Sequence, residues 1–224
     1  MLSGNVSRRT AVWGLAALVT AMLADLAETV IDPASSGKGA KIVAAATEHP
    51  GRMVLSGILL LVSAAFLLPG VFTLSRLLQG RGRNAGRAAT ILALLGTLGH
   101  AALGGIYLVW SAMAASSGGN AELIAGIDRA NASASLAPLA VLFIAFPLGL
   151  VLTFIAMVRG RLAPRWVLVP ALAAPVAAIA HVGGDTVSTV TALVFLLIAS
   201  SALAISLFGR EGAESEPRPT PVPA

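Results

Sequence analysis

Hydrophobic positions in this chain run in blocks. Residues 11–31, 53–78, 88–115, 136–158, 166–182 and 186–208 are almost continuously apolar. Blocks of this length predict membrane-spanning helices, because about 20 helical residues cross roughly 30 Å of hydrocarbon. A membrane barrel would instead show alternating strands of about 10 residues. The expected fold is all-α: a polytopic membrane protein with a six-helix transmembrane bundle in one domain, 11–208. A short cytoplasmic N-terminus (1–10) precedes it. A Pro- and Glu-rich tail (209–224) follows, with too little apolar surface to order itself.

The polar gaps alternate long and short. The long gaps, 32–52 and 116–135, each hold an amphipathic stretch, Lys41 to Glu48 and Glu122 to Ala130, which predicts two short helices at the membrane interface. The short gaps, 79–87 and 159–165, are basic. The last gap is a tight turn, His181-Val182-Gly183-Gly184-Asp185-Thr186, in which Asp185 suits an N-cap for the sixth span. A faint repeat runs through the pattern. Pro69 and Arg81-Gly82-Arg83 recur as Pro147 and Arg159-Gly160-Arg161, and the two amphipathic stretches correspond at nearly the same offset. Parallel internal repeats are common in transporter folds. The fifth span carries Pro170 and Pro175. Each is expected to remove a helical bond, to the carbonyls of Trp166 and Ala171.

Charge adds an orientation. Of the fifteen Lys and Arg, eleven lie before the first span, in or flanking the two short gaps (Arg76 at the end of the second span among them) or after the last span; only Lys38, Lys41, Arg52 and Arg129 lie on the other side. Basic residues near span ends are retained in the cytoplasm, which places both termini inside and the long gaps outside. The net charge of +5 is thus spread over helix ends, and no nucleic-acid partner is expected. The lipid bilayer of the cell membrane is the expected partner, with a homo-oligomer or a membrane partner protein as further possibilities. The chain is 57% hydrophobic and 11% charged, against about 25% charged in soluble domains. There is no cysteine, which excludes disulfides, iron–sulfur clusters and thiol catalysis. Arg8-Arg9 and the following apolar run also fit a cleaved signal peptide. The uninterrupted stretch to Ile31 and the poor small-x-small pattern near Asp25 favour a retained span.

Trp13 and Trp166 fall at inner ends, and Tyr107 and Trp110 toward an outer end, as interface anchors do. The ionisable residues inside the spans are few and share a depth. Asp25, Glu28 and Asp32 lie on one face of the first span; Thr97, His100, Gly104 and Tyr107 form a face of the third; His181 ends the fifth. Asp25, His100 and His181 each lie roughly 18–22 Å above the inner end of their span. An ionisable group at the bilayer centre costs about 2.5–3.5 kcal/mol on insertion scales and normally faces the bundle interior.

The expected site is an outward-facing polar pocket of Asp25, Glu28, His100, His181 and Asp185. His100, His181 and Asp25 could bind a divalent metal, since imidazole and carboxylate suit zinc; the same groups could form a proton relay; and His100 with His181 could ligate a haem. Each residue also has a plain reading: Glu28 and Asp32 reaching interface water, Asp185 as a cap, His181 as a loop residue, His100 hydrogen-bonded to a neighbouring helix. His49 belongs to a turn or a helix start before the second span. No nucleotide-binding, metalloprotease or serine-hydrolase motif is present. No cofactor is clearly implied, and the pattern favours a non-enzymatic role.

The acidic end of the first span, the small outer helix, the Pro50-Gly51 entry into the second span, the Arg-rich turn and Gly99-His100-Ala101-Ala102-Leu103-Gly104-Gly105 together resemble uncharacterised multi-pass integral membrane proteins of actinobacteria, of the domain-of-unknown-function type. The resemblance implies a helical membrane bundle and carries no functional residue with it. Three functions remain open: binding or translocation of a small solute, proton or metal ion; a haem-binding redox protein using His100 and His181; and a non-catalytic subunit of a membrane complex.

Overall fold

The computed structural model describes residues 8–34, 38–78, 82–118, 120–134, 137–180 and 185–214. Eight α-helices account for nearly all of them: α1 (Arg8–Ile31), α2 (Gly39–Glu48), α3 (Pro50–Leu77), α4 (Arg83–Ser117), α5 (Ala121–Ala132), α6 (Ala137–Arg159), α7 (Leu168–Ala180) and α8 (Asp185–Glu214), with a 3-10 turn at Arg165–Val167 before α7. No strand occurs among the described residues. The stretches Arg9–Ile31, Pro50–Leu77, Arg83–Ser117 and Ala137–Arg159 are long and apolar enough to cross a membrane, and Arg165–Ala177 and Thr189–Ile205 are shorter apolar helices. The chain is therefore all-helical with the make-up of a membrane protein.

Six helices close a ring. α1 packs on α3, α3 on α4, α4 on α6, α6 on α7, α7 on α8, and α8 returns to α1. Its largest apolar cluster joins Leu15, Leu18 and Met22 of α1 to Leu67 and Leu74 of α3, Leu150 and Phe154 of α6, Ala171 of α7 and Leu196 and Leu203 of α8. α2 and α5 lie together across one end of the ring and pack on α4. Ile42, Val43, Ala46, Met53, Ala114, Leu123 and Ile127 form a second apolar cluster there. Arg76, Arg83, Arg87, Arg159 and Arg165 belong to the opposite end. The two ends are called here the cap end and the arginine end.

Glycine permits the tightest crossings. A Cβ on Gly57 of α3 would stand 3.0 Å from Gly104 O of α4, and one on Gly104 would stand 2.8 Å from Gly57 O, so the two backbones touch where neither residue has a side chain. At Gly96 of α4 a Cβ would run into the backbone of Phe146 on α6.

The repeat has a structural counterpart. α1–α2–α3 and α4–α5–α6 each run long helix, short cap helix, proline-interrupted helix, with Pro69 inside α3 and Pro147 inside α6. The close approach of Gly70 to Leu18 in the first half has its counterpart in that of Gly149 to Ala93 in the second.

Several boundaries differ from the sequence reading. α4 has 35 residues, about 52 Å of helix, and its surplus turns buttress the cap. α3 starts at Pro50 because proline suits a first turn, where no helical N–H is needed. Pro170 does not break a helix: α7 begins at Leu168, so Pro170 falls in its first turn, and only Pro175 is interior. α8 runs to Glu214, past the expected tail start at 209, and the first helix-breaking residue beyond it is Pro217. Trp13 and Trp166 are 74% and 54% exposed, as interface anchors would be, whereas Tyr107 and Trp110 pack on the cap cluster.

Candidate functional site

Asp25 and His100 are both buried, at 3% and 4% exposure. They come from α1 and α4, both of which pack on α3. His100 Nε2 stands 3.4 Å from Asp25 Oδ2. That is an ion-pair separation, longer than a well-formed hydrogen bond. On the other side of the ring, Nδ1 lies 3.0 Å from Gly96 O, one helical turn back. The edge of the Phe146 ring meets the imidazole, with centroids 4.7 Å apart and planes at 71°. Gly96 serves twice: its carbonyl faces Nδ1, and its missing side chain lets Phe146 close over His100.

This geometry sets a proton inventory. A carbonyl oxygen only accepts, so Nδ1 must carry a proton. One further proton belongs between Nε2 and Oδ2; without it an imidazole lone pair would face a carboxylate. The pair is imidazolium against carboxylate, or imidazole against carboxylic acid, and either way it holds one shared proton. Neither Asp25 carboxylate oxygen has a hydrogen-bond partner among the described residues. An unsatisfied buried polar atom costs about 1–3 kcal/mol, so these oxygens are open to a further donor.

A second polar layer lies seven residues further along α1 and α4. Tyr107 Oη donates to Asp32 Oδ2 at 3.0 Å, and Ala34 N–H donates to Asp32 Oδ1 at 2.8 Å. Seven residues are two turns, about 10 Å. Glu28 lies between the layers on α1, half-buried, and its charge couples to Asp25, Asp32 and His100. Thr29 Oγ1 donates to Asp25 O at 2.9 Å and reaches Glu28 Oε2 at 3.4 Å. α3 adds Ser56 and Ser63, again seven apart, both fully buried, with hydroxyls that lack a partner among the described residues. The antiparallel register that sets Gly70 against Leu18 brings Ser63 level with Asp25 and Ser56 level with Asp32. Thr97 and Thr153, by contrast, bond their own helix at Ala93 O and Gly149 O.

Fastenings surround the column at the cap end. Arg52 donates twice to Ile31 O, at 2.7 and 3.1 Å, placing a cation on the last turn of α1. Asp128 Oδ1 of α5 accepts the Gly39 N–H of α2 at 2.7 Å, an anion at a helix N-terminus.

Of the expected site residues, the structure brings Asp25 and His100 into contact and sets Glu28 beside them. His181 lies outside the described residues. Asp185 is the first residue of α8, and its side chain lies outside them too. His49 is exposed at the junction of α2 and α3 and does not join the column. Among the described residues no three His, Asp or Glu side chains converge as a metal-binding group. The sequence reading missed Ser56 and Ser63. Their signal was the shared seven-residue spacing of Asp25/Asp32, Ser56/Ser63 and His100/Tyr107 on three helices.

The family model of DUF6796, a family of unknown function, matches residues 3–181. The chain belongs to that family. The DUF6796 match takes in α1 to α7, including both polar layers, and stops short of α8. No curated protein and no solved structure matches the chain.

Proposed function

We propose that this DUF6796 protein spans the plasma membrane six times with both termini in the cytoplasm, and that it binds and moves a proton or small cation at the Asp25–His100 pair. The closed six-helix ring supports the span count, because α7 and α8 complete it against four helices long enough to cross. Arg76, Arg83, Arg87, Arg159 and Arg165 at the arginine end support the orientation, with α2 and α5 outside.

One observation carries the functional reading: a carboxylate buried in an ion pair with an imidazole, in an apolar ring, with no well-formed hydrogen bond to either oxygen among the described residues. A pair serving only to hold helices together would have its polar atoms satisfied. An intramembrane ionisable group that is not satisfied points to ion or proton handling. Haem ligation draws no support from His100, since both its ring nitrogens face protein acceptors.

The test is proton flux in proteoliposomes holding a pH-sensitive dye, driven by a potassium diffusion potential. Wild-type protein is expected to acidify or alkalinise the lumen faster than empty vesicles. Asp25→Asn and His100→Gln, which keep the volume and polarity of the pair, should remove the excess while inserting equally well. Equal flux in all three proteins would overturn proton movement.

A further inference from the structure

We propose that Glu28 carries protons between the two polar layers, passing them from Asp32–Tyr107 at the cap end to Asp25–His100 in the interior, over waters bound by the Asp25, Ser63 and Ser56 oxygens. The inference deepens the proton-handling reading and rests on it.

Three observations support it. Glu28 is placed between the layers: it follows Asp25 by three residues and precedes Asp32 by four, so all three share a face of α1. It is half-buried and coupled in charge to both layers. The two layers stand about 10 Å apart, too far for one direct transfer and within reach of a carboxylate with one or two waters on each side. The orphan atoms sit where such waters would bind. Asp25 Oδ1 and Oδ2 and Ser63 Oγ belong to the deep layer, Ser56 Oγ to the outer one, and a buried water typically makes about 3 hydrogen bonds to polar atoms of this kind.

Toward the arginine end the buried side chains are mainly apolar, among them Leu15, Leu18, Met22, Leu67, Leu150 and Phe154. The buried polar groups on that side, Thr73, Thr97, Thr153 and Ser200, are hydroxyls alone, and those of Thr97 and Thr153 bond their own helices. The carboxylates lie on the cap side, so the relay is set toward the cap.

The other groups around Glu28 leave it the carrier. On its own helix stand Asp25 and Asp32. From α4 come His100 and Tyr107. From α3 come Arg52, committed to Ile31 O, and the two serines. α8 also packs on α1, and its residues 187–205 include no charged or histidine residue; Asp185 begins that helix. The transfer balances with no co-reactant. Glu28 gives its carboxyl proton to the deep pair, which becomes imidazolium beside carboxylic acid, and the Glu28 carboxylate regains a proton from hydronium arriving at the outer layer, which leaves as water. The return step reverses this.

The experiment is an acid jump on the full-length detergent-purified protein, followed by time-resolved infrared spectroscopy. The readout is the Asp25 carboxyl band, assigned by its loss in Asp25→Asn. Glu28→Gln is expected to slow its appearance about 10-fold or more, the scale of losing a positioned acid–base group, and to leave its final amplitude unchanged. Glu28→Asp should recover most of the rate. A wild-type rate in Glu28→Gln would overturn the relay and leave the deep pair standing. No Asp25 band in the wild type would overturn the proton-handling reading and the relay with it. Where Glu28→Gln does not fold, Glu28→Asp decides: a slowed rate supports the relay, and an unchanged one overturns it.

Discussion

His100 Nε2 on α4 lies 3.4 Å from Asp25 Oδ2 on α1, two helices that both pack on α3. The contact is a buried polar bridge between the two halves of the ring, and its two members are unequal. His100 has a second partner in Gly96 O, whereas neither Asp25 oxygen has a further partner beyond His100 among the described residues.

Breaking this pair from one side should cost more than removing it whole. Asp25→Ala or His100→Ala leaves a buried charge uncompensated, a change of about 3–5 kcal/mol, whereas paired apolar replacements of such ions are often neutral. Thermal unfolding in detergent should show both single variants melting well below an Asp25→Leu/His100→Leu double variant. Additive losses would contradict a coupled pair.

Gly104 and Gly105 should respond oppositely to alanine, although they are neighbours. A Cβ at Gly104 meets the Gly57 carbonyl at 2.8 Å, while one at Gly105 meets nothing within 4 Å. Gly104→Ala should lower stability by about 1–3 kcal/mol through overpacking. Gly105→Ala should raise it by about 0.5–1 kcal/mol through helix propensity. The same unfolding assay distinguishes them.

Asp128 fastens the cap from 89 residues away along the chain. Asp128→Ala removes an acceptor from the α2 N-terminus, worth about 0.5–2 kcal/mol. Amide hydrogen exchange should rise in α2 and remain unchanged in α6, which packs chiefly on α4 and α7.

The absence of cysteine makes topology directly measurable. Single cysteines at Lys38 and Arg129 should react with an impermeant maleimide in intact cells. Cysteines at Arg83 and Arg161 should react only after permeabilisation. The reverse pattern would invert the proposed orientation.

Metal and haem content gives an independent check. With both His100 nitrogens facing Gly96 and Asp25, the purified protein should carry no haem band that His100→Ala abolishes. A Soret band lost in that variant would return haem ligation as the leading reading.

Much of this was legible in the residues. Uninterrupted apolar blocks could only be buried in lipid or in each other, so the helices and their rough limits followed from length. Amphipathic residues 41–48 and 122–130 marked α2 and α5, and the spacing of Asp25, Glu28 and Asp32 placed them on one face. The ends of α4 and α8 were not legible, because no composition change marks where a helix stops needing lipid. Nor was the place of Pro170, which depended on where α7 begins.

The sequence by itself thus determined the helices, their membrane-compatible apolar make-up and the height of the ionisable residues along each helix, because hydropathy and a 1.5 Å rise act along a single segment. Only the tertiary structure decided which of those residues meet. Asp25 faces His100 because α1 and α4 both pack on α3, and because Gly57, Gly96 and Gly104 let neighbouring backbones approach closely enough to fix the register. Such contacts depend on crossing geometry between distant segments, which residue spacing within any one helix does not specify.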